Sequence, residues 1–193
     1  ILRIGAGAIS DIPHCLEKTG VSFGNMAVLC GGTFSKQFAV QISKAAGCDL
    51  YTIDTNSARE VDLLAKEMAG RNYDCMIGVG GGRVLDMVKR LGHLTGIGHI
   101  AVPTIISNDG LISPIAVIAD ERGRTHSLPA LAPAGVVVDL DIIGKAPSRY
   151  LEAAAGDILS NLSATNDRRL AHRDVGEKIY DIAFQMSRMA AHS

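Results

Sequence analysis

Aromatic residues are scarce in this chain of 193 residues: they make up 4% of it, and Trp is absent. Glycine, in contrast, occurs 21 times. This balance fits a sheet packed by aliphatic side chains and joined by tight glycine turns, and it argues against a lectin-like β-sandwich. Because 47% of the residues are hydrophobic and 20% are charged, disorder is excluded as the main description.

The chain lacks an excess of either charge. Lys and Arg number 19 and Asp and Glu number 20, which gives a net charge of −1. We therefore expect no nucleic-acid partner, because no broad basic surface is available. The longest uncharged segment, 91–108, is interrupted by Pro103, and no basic segment followed by an apolar stretch opens the chain. These features predict neither a secretory signal nor a transmembrane segment.

Cysteines are also few and form no CxxC pair. They lie far apart and mostly in apolar runs, at Cys15, Cys30, Cys48 and Cys75. Such thiols pack as small hydrophobic groups, which indicates a reducing, cytoplasmic compartment. The sequence starts at Ile1, within a strand pattern and without Met, so we expect it to be trimmed at one or both ends.

Short apolar runs alternate with amphipathic patterns from Ile1 to about Ala146, which predicts a parallel sheet covered by helices. Strands are expected at 26–30, 50–53, 75–79, 99–102 and 136–138, an antiparallel hairpin at 115–119 and 125–128, and helices at 55–69, 84–94 and from a cap at Ser35 to Ala46. From Pro147 onward only helical patterns remain, at 150–170 and 176–191. The sequence therefore predicts an α/β domain over 1–146 and a helical segment over 147–193.

Three consecutive glycines, Gly80 to Gly82, connect the strand at 75–79 to the helix at 84–94. Glycine lets backbone amides approach a pyrophosphate, and the following helix N-terminus presents unpaired N–H groups to it. The spacing is not GxGxxG, because Arg83 stands where the third glycine would fall. The turn alone fits either a phosphate site or a tight connection that binds nothing.

A second polar turn, from Pro103 to Gly110, follows the next strand of the predicted sheet. Its sequence PTIISNDG supplies two hydroxyls, an amide and a carboxylate. Open α/β sheets bind ligands at the carboxyl ends of their strands, so we expect this turn to lie beside the glycine turn. The alternative is that these side chains bond only to their own backbone.

Four segments together resemble the sn-glycerol-1-phosphate dehydrogenase family, in the superfamily of dehydroquinate synthase and the iron-type alcohol and glycerol dehydrogenases. They are GVGGGRVLDMVK, HIAVPTIISNDGLISPIAVI, HSLPALAPAGVVVDLDII and AAAGDILSNLSATNDRRLAH, in the family's order. The resemblance runs from about Gly5 to about Glu177. It implies a Rossmann-like nucleotide-binding domain followed by the beginning of an all-helical domain, as in dehydroquinate synthase.

The resemblance also implies an NAD(P)-dependent, metal-dependent enzyme that interconverts dihydroxyacetone phosphate and sn-glycerol 1-phosphate, with zinc as the usual metal. The implied partner is thus a small phosphorylated substrate, and a homo-oligomer is expected. Residues implied to bind the dinucleotide are Gly80, Gly81 and Gly82 at the pyrophosphate, Asp86 in the same cofactor wall, Thr104, Ser107 and Ser113 near the nicotinamide, and Arg83. Asp109 is implied to contact substrate, and Asp157 to bind both substrate and metal. Lys89 completes a DxxK pattern, which a solvated helix lysine explains equally well.

The metal site departs from the family pattern. The family completes it with two histidines far downstream, but only 36 residues follow Asp157. His172 and His192 do not suit these roles, and one carboxylate cannot hold a catalytic zinc. We therefore expect an N-terminal portion of a longer enzyme, which binds dinucleotide weakly and does not catalyse the reaction.

Three alternatives stay open at this point. A dehydroquinate synthase-like lyase lacks support, since the SSVGGKT-like sequence of those synthases is absent. The PTTAGTGSE-like stretch of glycerol and iron-type alcohol dehydrogenases is absent too. The third alternative is a non-catalytic nucleotide-binding module.

The preference for NAD or NADP is not determined by the sequence. Gly31 and Gly32 follow the strand at 26–30, and no charged residue stands there to bind a ribose or a 2′-phosphate.

Overall fold

The computed structural model describes residues 1–17 and 24–192. The chain forms two compact units. The first unit comprises Ile1–Ile106 and Gly110–Ala146, and the second comprises Ser107–Asp109 and Pro147–Ser193. Among the described residues, no helix combines the length and the apolar character that crossing a membrane requires.

The first unit is built on a six-stranded sheet in which every pairing is parallel. Its strands are β1 (Leu2–Gly5), β2 (Met26–Gly31), β3 (Asp49–Ile53), β4 (Cys75–Gly80), β5 (Gly98–Pro103) and β8 (Gly135–Asp139). Their order in the sheet is β1-β8-β5-β4-β2-β3. The predicted α/β, Rossmann-like fold class is confirmed.

A separate antiparallel pair consists of β6 (Ile115–Ala119) and β7 (Thr125–Pro129). The predicted hairpin is therefore confirmed. The helices of the first unit are α1 (Ile12–Glu17), α2 (Phe34–Ala46), α3 (Ala58–Ala69), α4 (Gly82–Thr95) and α5 (Leu140–Ile143), with short 3₁₀ helices at Ala8–Asp11 and Gly110–Ile112.

The core of the first unit lies on both faces of the sheet. One face packs β2 and β4 residues such as Val28 and Ile77 against Ile42 of α2. The other packs Leu29 and Met76 with residues of α3 and α4. Strand β4 is buried along its whole length, as expected for a central parallel strand with helices on both sides.

The predicted starts of α2 and α3 are wrong, and local hydrogen bonds explain both. Ser35 does not cap α2, which begins at Phe34; instead its hydroxyl accepts from the Gly31 N–H at 3.1 Å and donates to the Gly31 carbonyl at 3.3 Å. Helix α3 begins at Ala58 rather than residue 55, because the Ser57 hydroxyl accepts from the backbone N–H of the residue three positions later. Such caps fix a helix start more sharply than apolar spacing does.

The second unit contains two helices, α6 (Ser148–Val175) and α7 (Asp181–His192). The predicted second helix began at Gly176, but this glycine has φ 72° and ends α6 as its C-cap. Its backbone N–H donates to the carbonyl of His172 at 3.2 Å. A left-handed glycine ends a helix, so residue 176 closes α6 instead of opening the next helix. Helix α7 starts five residues later, at Asp181.

Candidate functional site

The glycine turn and the Pro103 turn lie side by side at the carboxyl edge of the sheet. Gly80 is paired with Pro103 in the β4–β5 register, and the backbone N–H of Thr104 donates to the Gly80 carbonyl at 2.9 Å. The side chain of Thr104 is buried. The expected neighbourhood of the two turns is therefore present within the first unit.

Packing explains two of the three glycines. A Cβ on Gly80 would lie 2.7 Å from Val84 Cβ, and a Cβ on Gly81 would lie 2.8 Å from Ile105 Cδ1. Both positions are thus closed to larger residues by neighbouring side chains. A Cβ on Gly82 would meet no described atom within 4 Å. The open space beside the Gly82 Cα would let a ligand approach the backbone closely.

Helix α4 starts at this opening. Gly81 is its N-cap and makes no side-chain capping bond, and the first turn, which the structure describes in full, holds no acidic side chain. The first backbone N–H groups of a helix have no partner within the helix and carry a partial positive charge. Arg83 in this turn is exposed. These residues fit the pyrophosphate of a dinucleotide.

Asp86 and Lys89 form an ion pair with each other and hydrogen bonds with the backbone of a neighbouring segment. Asp86 Oδ1 lies 2.8 Å from Lys89 Nζ, and Asp86 Oδ2 accepts the Val117 N–H at 3.1 Å. The Lys89 side chain is 2% exposed and also donates to the carbonyls of Gly110 and Ile115. The reading of Lys89 as a solvated helix lysine is wrong, because α4 presents this side chain to the 110–115 loop.

The remaining expected cofactor residues fall in different units. Ser113 belongs to the first unit, and its hydroxyl donates to the Gly110 carbonyl at 3.0 Å and lies 3.4 Å from the Ile115 carbonyl. Ser107 is half-buried and belongs to the second unit. Within the first unit, the structure thus gathers the glycine turn and Thr104, and it places Ser113 in the loop held by Lys89.

Asp109 and Asp157, expected to contact substrate, are brought together in the second unit. The backbone N–H of Asp109 donates to Asp157 Oδ2 at 2.9 Å. Asn161 donates from Nδ2 to Asp109 Oδ2 at 3.2 Å. Asn161 was not expected at this site, although its position one helical turn after Asp157 places both residues on one face of the helix.

A cleft of about 430 Å³ lies between α6 and α7 in the second unit. Asp109 and Asn161 stand at its wall together with Arg168 and Tyr180. The remaining lining residues are small or apolar apart from two hydroxyls: Ala164, Thr165, Ile179, Ala183, Phe184, Ser187 and Ala190. The cleft therefore combines an acid, an amide and a cation with an apolar wall.

The second unit does not complete a metal site. No group of three or more His, Cys, Asp or Glu side chains that could hold a metal occurs among the described residues. His172 Nδ1 lies 2.6 Å from the Glu177 carbonyl, to which it donates, and the side chain of His192 lies outside what the structure describes. A catalytic zinc ordinarily needs three protein ligands, so the residues present do not fit one.

The chain is similar in sequence to known dehydrogenases. Residues 3–147 match the family model described as iron-containing alcohol dehydrogenase. The glycerol-1-phosphate dehydrogenase [NAD(P)+] of Thermofilum pendens is 32% identical over 96% of this chain and 54% of its own length. That of Methanospirillum hungatei is 35% identical over 97% of this chain and 52% of its own length. The chain thus spans about half the length of these curated relatives.

Solved structures show the same likeness. A probable glycerol dehydrogenase from Sinorhizobium meliloti matches with a TM-score of 0.73 and 28% identity, over 86% of this chain and 47% of its own. The glycerol dehydrogenase of Schizosaccharomyces pombe matches with a TM-score of 0.70 and 25% identity, over 86% of this chain and 43% of its own.

Proposed function

The chain belongs to the iron-containing alcohol dehydrogenase family, and from this premise we propose that its first unit binds NAD or NADP. We propose further that the protein is part of an oxidoreductase that interconverts dihydroxyacetone phosphate and sn-glycerol 1-phosphate. The names of the curated relatives support this substrate. The observation that carries the cofactor proposal is the open space at Gly82, at the uncapped start of α4.

Each part of the carboxyl edge has a task in this proposal. The N–H groups at the start of α4 bind the pyrophosphate, and the missing side chain at Gly82 lets them reach it. Arg83 adds a positive charge at the exposed side of the turn. Thr104 fixes the neighbouring turn through its backbone bond to Gly80. When bound, the nicotinamide would supply or accept the hydride.

Asp109 and Asp157 are proposed to bind the substrate hydroxyls. A carboxylate accepts hydrogen bonds from hydroxyl groups, and Asp157 already accepts one from the Asp109 backbone. No step of the proposal uses a metal, because the described residues supply no complete ligand set. Asp157 as a metal ligand stays a prediction.

Cofactor binding can be tested with a substitution that adds a single methyl group to the glycine turn. Gly82→Ala should fold normally, since no described atom lies within 4 Å of the new Cβ and alanine favours a helix. It should weaken NADH binding at least about tenfold by blocking the approach to the pyrophosphate. Binding is measured by NADH fluorescence and by calorimetry with NADH and NADPH.

Gly98→Ala is the matched control. A Cβ on Gly98 also meets no described atom within 4 Å, and Gly98 begins β5 at the opposite end of the strand from Thr104. Its NADH affinity should equal that of the unaltered chain. Equal affinity in all three proteins, or no NADH binding by the unaltered chain, would contradict the proposed site.

Glycerol dehydrogenase activity is the second candidate, favoured by the 28% identity to the Sinorhizobium meliloti protein. NADH oxidation is compared with dihydroxyacetone phosphate and with unphosphorylated dihydroxyacetone, each with and without zinc. Turnover of only the phosphorylated ketone supports our proposal. Turnover of only the unphosphorylated ketone supports the second candidate. Dinucleotide binding without turnover is the result expected both of an N-terminal portion of a longer enzyme and of a non-catalytic module. Product formation from a heptulosonate phosphate would instead indicate the lyase class.

Two further expectations belong to the proposal. The described thiols of Cys30, Cys48 and Cys75 are free and buried, which supports a reducing compartment such as the cytoplasm. A homo-oligomer stays a prediction, which light scattering coupled to size-exclusion chromatography would check.

A further inference from the structure

Lys89 is a buried cation whose hydrogen-bonding capacity is used in full. Its Nζ lies 2.8 Å from the Gly110 carbonyl, 2.5 Å from the Ile115 carbonyl and 2.8 Å from Asp86 Oδ1. An ammonium has three N–H donors, so each one has an acceptor. A charge with 2% exposure is stable only when it is paired and hydrogen-bonded in this way.

Asp86 extends the same contact. Its Oδ2 accepts the Val117 N–H at 3.1 Å while its Oδ1 pairs with Lys89. Two side chains one turn apart on α4 thus hold the segment 110–117 at three points: two carbonyls and one N–H. We call this arrangement the α4 tether. It lies entirely within the first unit.

The α4 tether also determines what the Ser113 hydroxyl can do. This hydroxyl donates to the Gly110 carbonyl at 3.0 Å and lies 3.4 Å from the Ile115 carbonyl, which are the two carbonyls that Lys89 binds. A hydroxyl has one hydrogen and two acceptor lone pairs. Since its hydrogen points into the loop, Ser113 meets an incoming ligand as a hydrogen-bond acceptor.

We propose that Lys89 and Asp86 are positioning residues that hold the 110–117 segment so that the Ser113 hydroxyl accepts a hydrogen bond from an amide N–H of the bound dinucleotide. The proposal rests on the dinucleotide binding proposed above. It assigns Asp86 an indirect role, through its contacts with Lys89 and with the Val117 N–H. The direct contact is made by Ser113.

Two measurements separate the tether from the contact. Hydrogen exchange of the backbone amides of 110–117 in the ligand-free chain reports the tether without any cofactor. NADH dissociation constants report the contact. The variants are Lys89→Met, Asp86→Asn and Ser113→Ala. Lys66→Met is the control, because Lys66 is an exposed lysine on the neighbouring helix α3.

Lys89→Met should speed exchange in 110–117 at least about tenfold and should weaken NADH binding, since the loop loses charge-assisted bonds. Ser113→Ala should weaken NADH binding while exchange stays unchanged. Asp86→Asn keeps one acceptor and should give a smaller increase in exchange, and it replaces Lys89→Met if that variant does not fold. Lys66→Met should change neither quantity.

Unchanged exchange in both Lys89→Met and Asp86→Asn would overturn the tether. Unchanged NADH affinity in Ser113→Ala would overturn the contact. If the unaltered chain does not bind NADH, the proposed cofactor site and the Ser113 contact both fail, while exchange still decides the tether.

Discussion

The side-chain amide of Asn161 donates to the carboxylate of Asp109 at 3.2 Å. The two residues are 52 positions apart in the sequence, and both line the cleft between α6 and α7. The backbone of Asp109 in turn donates to Asp157. Asn161 is therefore the donor that orients one of the two carboxylates proposed to bind substrate.

Replacing this donor by an acid should disturb the cleft. In Asn161→Asp the donor is lost and a second carboxylate faces Asp109, so the second unit should be destabilised by more than in Asn161→Ala. The alanine variant loses one hydrogen bond, which is worth about 1 kcal/mol. Urea denaturation of the two variants and of the unaltered chain is the measurement.

Asn166→Asp is the control, because Asn166 is exposed on the same helix. It adds the same charge without facing Asp109. If Asn161→Asp and Asn166→Asp have equal stabilities, Asn161 does not orient the acid.

Asp120 should hold the β6–β7 turn over a wide pH range. Its carboxylate accepts from His126, from the Arg124 backbone and side chain, and from the Arg122 backbone. These bonds, the one from His126 first, lower the pKa of Asp120 from 3.8 to about 2. A depressed folded-state pKa gives stability that is present above the unfolded pKa and is lost as pH falls from about 4 to about 2.

Asp120→Asn should therefore increase hydrogen exchange of the Arg122 and Arg124 backbone amides near neutral pH, where the carboxylate of the unaltered protein accepts hydrogen bonds from both. Glu121→Gln is the matched control, because Glu121 is exposed in the same turn. NMR titration of the Asp120 carboxyl gives the pKa directly. A midpoint near 3.8 would show that the turn does not favour the charged form.

The sheet could be predicted because its strands are short apolar runs bounded by glycine or polar residues. β4, for example, is apolar along its length and ends in the glycine turn. Helix starts were less predictable, since the Ser57 cap and the left-handed Gly176 depend on local bonds and backbone angles. Apolar spacing does not encode either one.

The candidate site divides in the same way. Adjacent strand ends bring the Gly80 and Thr104 turns together, which follows from parallel pairing and could be expected from sequence. The acceptors of Lys89 lie 21 and 26 residues away, and the partner of Asn161 lies in a different segment. These roles depend on which loop packs against which helix face. The helical pattern alone does not contain this information, and it therefore predicts a solvated Lys89.

Arg168 should hold the segment between α6 and α7 in place. It pairs with Glu177 and donates from Nη2 to the Lys178 carbonyl at 3.0 Å. Arg168→Met removes both bonds and should make the 176–180 segment more sensitive to limited proteolysis. Glu177→Gln should have a smaller effect, since an exposed ion pair contributes about 0–1 kcal/mol and the bond to the Lys178 carbonyl stays. Equal cleavage rates for both variants would show that the carbonyl contact is unimportant.

His99 should make the first unit sensitive to acid. The side chain is 1% exposed, and neither ring nitrogen has a hydrogen-bond partner among the described residues. Burial first, and then the charge of Lys89, lowers the pKa of His99 from 6.5 to about 4. The neutral ring is thus the form that the folded protein holds.

The sign of the effect follows from proton binding. Between pH 6.5 and about 4 the unfolded chain binds a proton at His99 and the folded protein does not, so the stability of the fold is lost as pH falls through this range. The shift corresponds to roughly 3 kcal/mol. His99→Leu should remove this part of the pH dependence, because leucine fills the buried site without titrating.

The measurement is the free energy of unfolding by urea at several pH values between 7 and 4. His93→Leu is the matched control, because His93 is exposed on α4 and should leave the slope unchanged. If His99→Leu and the unaltered chain lose stability in parallel as the pH falls, the acid sensitivity arises from other groups and the histidine is not held neutral by the fold.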